Sequence, residues 1–279
     1  MAIELVTKYL PYVDELFSQE SKRELLTNQD FSWDGAESVK VYKITTSKMN
    51  DYSKYAASGS WYGEVKPLSA TTETMKLKKD RSFTFAIDAR DADETGQALN
   101  GATALARQLR EVVIPEVDTY VYGVMCAGAG TKPAAKALTS GNIYAEIVNA
   151  SAALDDALVP ETGRVLTVTP ATYLLMKQCK DITMETEIGN DMRVRGVIGN
   201  LDGATVVKVA SARLGSAFGF MLAHPCATVA PVKLEDYVTH VNPPGINGTL
   251  VEGRIVYDAF VLENKAKAIY YQAIPESDG

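Results

Sequence analysis

The sequence is poor in the residues that build disulfides, metal centres and histidine-dependent active sites. Of its 279 residues, three are cysteines and two are histidines. Cys126, Cys179 and Cys226 are widely spaced and odd in number, which predicts no disulfide framework and is typical of a reducing compartment. The two histidines, His224 and His240, are too few for a convincing catalytic zinc site, which takes three protein ligands.

The sequence also predicts neither a membrane span nor a secretion signal. No run of about 18 apolar residues occurs. The N-terminal residues MAIELVTKYLPYVDELF contain no basic stretch followed by a continuous apolar core and a small-residue cleavage site. The composition, 46% hydrophobic and 23% charged, is typical of a globular protein with one large domain or two modest ones.

Motifs for nucleotide binding and nucleophilic catalysis are incomplete. Gly123 and Gly128 have the spacing of a phosphate-binding loop, but Ala129 stands where the lysine belongs. The pattern favours a helix end followed by a turn. No serine lies in a G-x-S-x-G motif.

An acidic cluster is the remaining candidate for chemistry. Asp88, Asp91, Asp93 and Glu94 suit acid–base catalysis or a divalent ion, but anionic residues also stabilise a helix N-terminus, and a helix is predicted here. We therefore predict no enzyme activity, no cofactor and no metal. An α/β enzyme without a recognisable motif remains an alternative.

Charge is unevenly distributed along the chain. The net charge is -7 and the pI is about 5.0, which argues against a dedicated nucleic-acid binder. Between Glu37 and Arg81, however, the chain contains nine Lys or Arg and only five Asp or Glu, so this segment is basic. The remainder of the chain is therefore more acidic than the net charge of the whole suggests.

The basic segment predicts a two-stranded arm. Alternating apolar and polar residues near Val39, Met75 and Phe83 indicate strands. The long stretch between the first two strands contains Tyr52, Tyr55, Trp61 and Tyr62, and aromatic residues favour ordered contacts over disorder. A lone two-stranded hairpin is barely stable in water, so we expect it to lie on another copy of the chain. Nucleic-acid binding by this arm is the alternative.

Two amphipathic helices flank the arm. Residues 5–17 have helical apolar spacing interrupted by Pro11, and pack either on their own domain or on a neighbour. From the acidic cluster to Gly128, a helix of about 30 residues and on the order of 45 Å is predicted. Pro115 should bend it.

The rest of the chain predicts an α/β region and a β-rich end. The predicted elements are a helix over 142–158, a strand over 164–169, a helix from Pro170, a glycine-rich loop over 195–203, strands over 204–209 and 218–223, a turn over 242–245, and strands over 249–262 and 266–271.

This order of segments resembles the major capsid protein of tailed bacteriophages. Local stretches are also similar: IELVTKYLPYVDELF, DRSFTFAIDARDADET, RGVIGNLDGATVV and EGRIVYDAFVLENKAKAIYYQ. The resemblance implies an α+β fold with an N-arm (1–30), an E-loop β-hairpin with its base strands (31–90), a spine helix of the peripheral domain (91–131), an α/β axial domain (132–224) and returning peripheral strands (225–279).

The resemblance also implies a function. Copies would assemble as hexamers and pentamers into an icosahedral shell around double-stranded DNA, with the E-loop lying over a neighbour. The chain would be made in the host cytoplasm and end in the virion. A portal protein is an expected partner. A separate scaffolding protein is expected too, since the arm begins directly at Met1. No arm lysine matches the crosslinking lysine of some relatives, so no crosslink is predicted.

The predicted contacts between subunits lie on the arm and the spine helix. They are Trp61, Tyr62, Lys76, Lys78, Lys79, Arg107 and Arg110. An encapsulin-like nanocompartment shell remains the main alternative, because it shares the fold.

Overall fold

The structure, a computed structural model, divides into two compact units. One is Trp33–Leu77, and the other combines Met1–Ser32 with Lys78–Gly279. The residues that the structure describes are 21–28, 38–44, 46–54, 60–62, 67, 70–90, 101–179 and 197–275. The predicted helix over 5–17 and the predicted start of the long helix at residues 91–94 lie outside them.

The smaller unit contains one antiparallel hairpin. Strand β1 (Ser38–Ile44) pairs with β2 (Ala70–Lys76) along its full length, from Ser38 opposite Lys76 to Ile44 opposite Ala70. Within the described residues no third strand joins them. The predicted two-stranded arm is confirmed as a hairpin.

The larger unit contains the remaining regular elements. Its helices are α1 (Gly101–Gln108), α2 (Ile114–Gly128), α3 (Ile143–Asp156) and α4 (Pro170–Gln178). Its strands are β3 (Lys79–Asp88), β4 (Val165–Val168), β5 (Val197–Leu201), β6 (Ala204–Lys208), β7 (Phe218–Ala223), β8 (Thr228–Val229), β9 (Val232–Val241), β10 (Gly248–Tyr257), β11 (Phe260–Val261) and β12 (Ile269–Ala273).

A long helix packs beside a three-stranded antiparallel sheet. The strand order is β3-β10-β9, and the predicted turn over 242–245 joins β9 to β10. The buried stripe of the helix includes Leu105, Leu109 and Val117, which share one core with Val251 and Ile255 of β10. The spacing that predicted the helix is therefore the spacing of its buried face.

The long helix is continuous through a single π-helical turn. That turn, Leu109–Val113, joins α1 to α2, and the N–H of Ile114 donates to the carbonyl of Leu109 five residues earlier. Pro115 follows immediately. A proline lacks the N–H that an α-helix needs, and its ring crowds the carbonyl four residues back, so a wider turn accommodates it. The structure shows a π-turn directly before this proline, while the predicted bend at Pro115 stays a prediction.

A five-stranded mixed sheet forms a second core with α3 and α4. Its order is β12-β7-β4-β6-β5, with β4 parallel to β6 and the other pairs antiparallel. The core residues are fully buried and come from both helices and three strands: Ile147, Leu154, Leu166, Met176, Val206 and Phe220. The apolar strands predicted over 164–169, 204–209 and 218–223 are confirmed.

Three sequence predictions about strands were wrong. The predicted glycine-rich loop over 195–203 contains strand β5 (Val197–Leu201), which a two-residue turn joins to β6; residues 195 and 196 lie outside the described residues. The strand predicted over 249–262 breaks after Tyr257, where Asp258 and Ala259 separate β10 from β11. Residues Glu263–Ala268 are a 3-10 helix, so the last strand starts at Ile269.

The C-terminal segment divides between the sheets. The resemblance implies returning peripheral strands over 225–279, whereas within this range β12 is an edge of the five-stranded sheet and pairs with β7. Strand β9 was not predicted at all. Its charged residues, such as Asp236, obscure the alternating pattern.

Candidate assembly surfaces

Three aromatic side chains form an exposed cluster in the loop of the hairpin unit. The exposed fractions are 53% for Tyr52, 51% for Trp61 and 78% for Tyr62. The Tyr52 ring meets both others edge to face, at centroid distances of 6.2 Å to Trp61 and 5.2 Å to Tyr62. Exposed rings already held against each other offer a large apolar contact at little further loss of conformational entropy.

Hydrogen bonds to main-chain carbonyls hold this cluster together. The N–H of Ser53 donates to the carbonyl of Trp61 at 3.0 Å, and the side-chain amide of Asn50 donates to the carbonyl of Tyr62 at 3.2 Å. Two separate stretches of the loop are therefore tied side by side. Within the described part of the loop, these hydrogen bonds fix the backbone that carries the aromatic cluster.

A buried carboxylate anchors the residues with which the larger unit resumes at Lys78. Asp258 accepts from the main-chain N–H of Lys78 at 2.9 Å and from the hydroxyl of Tyr120 at 2.7 Å. Burial and these bonds to Asp258 raise the pKa of Tyr120. The ammonium group of Lys79 lies 4.9 Å from the centroid of the Tyr120 ring. Strand β3 is therefore fixed to the long helix where it begins.

Exposed ion pairs continue this connection along β3. The guanidinium of Arg81 donates to Glu116 of α2 at 2.7 Å, and Glu116 also accepts from the hydroxyl of Tyr257 at 3.2 Å. Burial and the nearby Glu116 raise the pKa of Tyr257 to about 12. Exposed pairs of this kind contribute little to stability and serve mainly to orient side chains.

A second buried carboxylate anchors the N-terminal residues of the described chain. Asp118 is 1% exposed, and it accepts from the hydroxyl of Ser21 at 2.9 Å and from Arg213 at 3.0 Å. Burial raises the pKa of Asp118, against the opposing effect of these partners. The ammonium of Lys22 donates to the carbonyl of Lys208 at 2.9 Å. No pattern in the sequence marks these partners, which come from three distant segments.

The sequence-predicted contact residues are divided between the two units. Trp61 and Tyr62 share the aromatic cluster, and the side chain of Lys78 is exposed although its N–H is bound. The remaining four are placed as follows: Lys76 exposed on β2, Lys79 over Tyr120, Arg107 paired with Glu111 at 3.0 Å, and Arg110 exposed on the π-turn.

The outer face of the three-stranded sheet carries an open groove of about 430 Å³. His240 of β9 and Glu252 of β10 face each other across it at 3.4 Å. The groove is open, and polar and charged side chains line it together with Phe83 and Val238. Among the described residues no group of three His, Cys, Asp or Glu side chains is placed to hold a metal ion. Nor is any described helix long and apolar enough to cross a membrane.

Comparison with known proteins agrees with this architecture. Residues 70–272 match the family described as phage capsid protein. No curated protein matches the chain at a significant level.

Solved structures share the fold at low sequence identity. A structure from Mycobacterium phage Che8 aligns with a TM-score of 0.69 and 19% identity, over 88% of this chain and 89% of that one. The capsid structure of Cyanophage P-SCSP1u aligns with a TM-score of 0.66 and 13% identity, over 91% of this chain and 87% of that one. The structure of a virus-like particle from Pyrococcus furiosus aligns with a TM-score of 0.58 and 12% identity, over 96% of this chain and 99% of that one. Because the family match spans most of the sequence and the folds agree, the chain belongs to the phage capsid protein family and has the fold of a tailed-phage major capsid protein.

Proposed function

We propose that this chain is the subunit that assembles as hexamers and pentamers into the icosahedral shell enclosing the double-stranded DNA of a tailed bacteriophage. Membership of the family implies a structural component of a virion that forms an oligomeric shell. The proposal adds the arrangement of the copies, the enclosed DNA and the contacts between subunits.

The hairpin unit is the observation that carries the proposal. Residues Trp33–Leu77 form a compact unit of their own, with one two-stranded sheet among the described residues. Such a hairpin is marginally stable alone and needs a surface to cover it. Its loop exposes the aromatic cluster of Tyr52, Trp61 and Tyr62. A neighbouring copy in a shell would supply the missing surface.

Charge supports the same arrangement. The segment from Glu37 to Arg81 is basic, whereas the chain as a whole carries a charge of -7. Opposite charges on two copies would orient the hairpin of one on the body of the next, and head-to-tail contacts of this kind close into rings. An acidic shell can hold DNA because enclosure requires no base-specific contacts.

The proposal extends to the roles of the individual segments. We assign residues 1–30 to the N-arm, 31–90 to the E-loop and its base strands, 91–131 to the spine helix, 132–224 to the axial domain and 225–279 to the returning strands, with β12 added to the axial sheet. The contacts between copies would be made by Trp61, Tyr62, Lys76, Lys78, Lys79, Arg107 and Arg110.

Partners and chemistry follow from the same proposal. The chain would be made in the host cytoplasm and assembled with a separate scaffolding protein and a portal protein. It would act without catalysis, cofactor or covalent crosslink, since its buried carboxylates Asp118 and Asp258 are bound by structural partners.

A shell of cellular origin is the second candidate. The alignment with the virus-like particle from Pyrococcus furiosus covers 96% of this chain and 99% of that one. An encapsulin-like compartment would enclose a cargo protein, whereas a phage capsid would enclose DNA. The two candidates are distinguished by the contents of purified particles, which nuclease-protected DNA or a co-purifying protein would identify.

The test removes the hairpin loop and leaves the rest of the chain intact. Residues 47–69 are replaced by a short glycine-containing turn, so that β1 and β2 are kept. A milder variant, Trp61→Ala with Tyr62→Ala, removes only exposed rings. We expect both variants to fold and to lose shells, as measured by light scattering and negative-stain microscopy. Shells from the loop-deleted chain equal in yield to those of the intact chain would contradict the proposed contact.

A further inference from the structure

Leu158 combines two unfavourable features that a leucine rarely shows together. Its backbone is in the left-handed region, with φ of 57°, and its side chain is 92% exposed. It follows helix α3, where the N–H of Val159 donates to the carbonyl of Leu154 at 3.0 Å. This is the helix-ending position that glycine usually occupies, because glycine avoids the steric strain.

The loop around Leu158 is held rigid from inside. The buried Arg164 side chain donates to Asp155 at 2.6 Å, to the carbonyl of Val159 at 2.7 Å and to the carbonyl of Pro160 at 2.9 Å. The exposed leucine is therefore presented by a fixed backbone. Strain at a rigid, exposed site indicates that the side chain has a use outside its own subunit.

The charges around Leu158 are acidic. Asp156 and Glu161 lie within three residues of it and are exposed. An apolar side chain with an acidic border fits a partner that presents an apolar residue with a basic border. The same unit of this chain carries such a surface on α4.

The α4 surface has the complementary character. Leu174 is 55% exposed, and the ring of its neighbour Tyr173 has two ammonium groups close to it. Lys177 is 4.9 Å and Lys208 is 5.6 Å from the centroid of the Tyr173 ring. Lys22, which binds the carbonyl of Lys208, adds a further positive charge.

The two surfaces lie at opposite ends of the five-stranded sheet. The Leu158 loop leads into β4 at Val165, and α4 leaves β4 after Val168. Lys208 pairs with Val168 in the parallel strand β6 and so lies at the second end. Complementary surfaces at opposite ends of one unit allow each copy to bind the next head to tail, which closes a ring.

We propose that Leu158, flanked by Asp156 and Glu161, docks on the α4 surface of Leu174 and Lys177 in a second copy of this chain. The occupant is another copy because the complementary charge is on the chain itself. This inference rests on the proposed shell function. It adds a ring contact made by the five-stranded sheet and its helices rather than by the hairpin.

The first test replaces Leu158 by residues that tolerate the left-handed backbone. Leu158→Gly and Leu158→Asn relieve the strain and remove the apolar side chain. We expect the unassembled chain to unfold at the same or a higher temperature, while association weakens by roughly tenfold to a hundredfold, as the loss of one buried leucine predicts. Val241→Thr changes another exposed apolar residue, 61% exposed on β9, and should leave association unchanged.

The outcomes separate the inference from the proposed function. Normal assembly of both Leu158 variants overturns the inference and leaves the shell function standing. A lower unfolding temperature of the unassembled variants also overturns it, because Leu158 would then serve its own subunit. If the intact chain forms neither rings nor shells, the shell function fails and the inference falls with it.

A charge reversal tests the chosen partner surface. Glu161→Lys and Lys177→Glu should each reduce association, and the double variant should recover it, since the reversed pair restores opposite charges. If Glu161→Lys is not rescued by Lys177→Glu although each single change weakens association, the α4 surface is not the partner. A rescue at 150 mM salt that disappears at 1 M salt is expected from the electrostatic origin of the effect.

Discussion

The carboxylate of Asp258 accepts a hydrogen bond of 2.9 Å from the main-chain N–H of Lys78, 180 residues earlier in the sequence. Lys78 is the first residue of the larger unit after the hairpin unit ends at Leu77. The bond therefore fixes the residue at which the chain leaves the hairpin unit. Tyr120 of the long helix shares the same carboxylate at 2.7 Å.

Asp258→Ala should destabilise the folded chain. Asp258 is 2% exposed, so its removal leaves the N–H groups of Lys78 and Ala259 and the hydroxyl of Tyr120 without their acceptor. We expect a loss on the order of 3 kcal/mol, measured by denaturant unfolding. Asp80→Ala removes an exposed carboxylate paired with Arg254 and should leave the unfolding midpoint nearly unchanged. Equal effects of the two changes would contradict the anchoring role of Asp258.

Gly253→Ala should also destabilise the chain, for a steric reason. Gly253 of β10 lies opposite Phe83 of β3 and Tyr237 of β9, whose rings are 6.1 Å apart. A methyl group at Gly253 would run into the Phe83 ring. Overpacking of this kind costs about 1–3 kcal/mol.

The matched control is a second glycine-to-alanine change. Gly123 lies inside α2, and a Cβ there would meet nothing within 4 Å. Gly123→Ala should therefore stabilise the chain by about 0.5–1 kcal/mol, through helix propensity alone. The unfolding temperature should fall for Gly253→Ala and rise for Gly123→Ala. A lower unfolding temperature for both variants would show that the effect is not specific to the contact with Phe83.

Stability should depend on the protonation of His224. Its Nδ1 accepts from the N–H of Cys226 at 3.2 Å and its Nε2 lies 3.1 Å from the carbonyl of Thr162, an arrangement that needs neutral imidazole. Burial, with smaller effects of Arg164 and Lys265, lowers the pKa of His224. A lowered histidine pKa means that its stabilising contribution is present above pH 6.5 and is lost as the pH falls below that value.

The check is a comparison of unfolding temperatures at pH 7.5 and pH 5.5. His224→Asn should reduce the difference between the two temperatures, because the substituted residue does not titrate. His240→Asn, which changes a half-exposed histidine on β9, should retain the full difference. If His224→Asn keeps the same dependence on pH, other groups are responsible for it.

The π-turn before Pro115 should influence the size of the shell. One sequence must fit non-identical positions in an icosahedral shell, and a helix with a built-in irregularity bends more readily than a regular one. Pro115→Ala restores an N–H and permits a regular α-helix through the π-turn Leu109–Val113. We expect a narrower or shifted distribution of particle sizes by microscopy. Unchanged shell size and yield would contradict the bending role.

The sequence predicted those elements whose signal is local and periodic. The long helix, α3 and the buried strands β4 and β7 follow from spacing alone, because one face or the whole element is buried. The hairpin of β1 and β2 follows from alternation. The segment order and the local sequence likenesses together indicated the capsid fold.

The missed elements depend on turn geometry or distant partners. Asp202 and Gly203 both have positive φ, 51° and 75°, which is the Asp-Gly turn of a tight hairpin. That dipeptide was a usable signal, and the abundance of glycine around it hid the strand β5. The pairing of β12 with β7 depends on long-range register, and the polar partners of Asp118 and Asp258 come from segments far apart in sequence.

The exposed residues show the same limit. The sequence predicted Leu158 as the last residue of the helix over 142–158, whereas α3 ends at Asp156; the positive φ and 92% exposure of Leu158 are visible only in three dimensions. The sequence shows that the hairpin loop contains aromatic residues. The edge-to-face contacts of Tyr52 with Trp61 and Tyr62 are visible only in the folded loop.

The mass and symmetry of the particles formed by the intact chain test the central claim most directly. Light scattering and negative-stain microscopy of the purified protein, alone and after co-expression with the other structural proteins of its virion, would measure both. The shell function predicts closed icosahedral shells, or rings of five and six copies. A 30.2 kDa monomer under both conditions would contradict it.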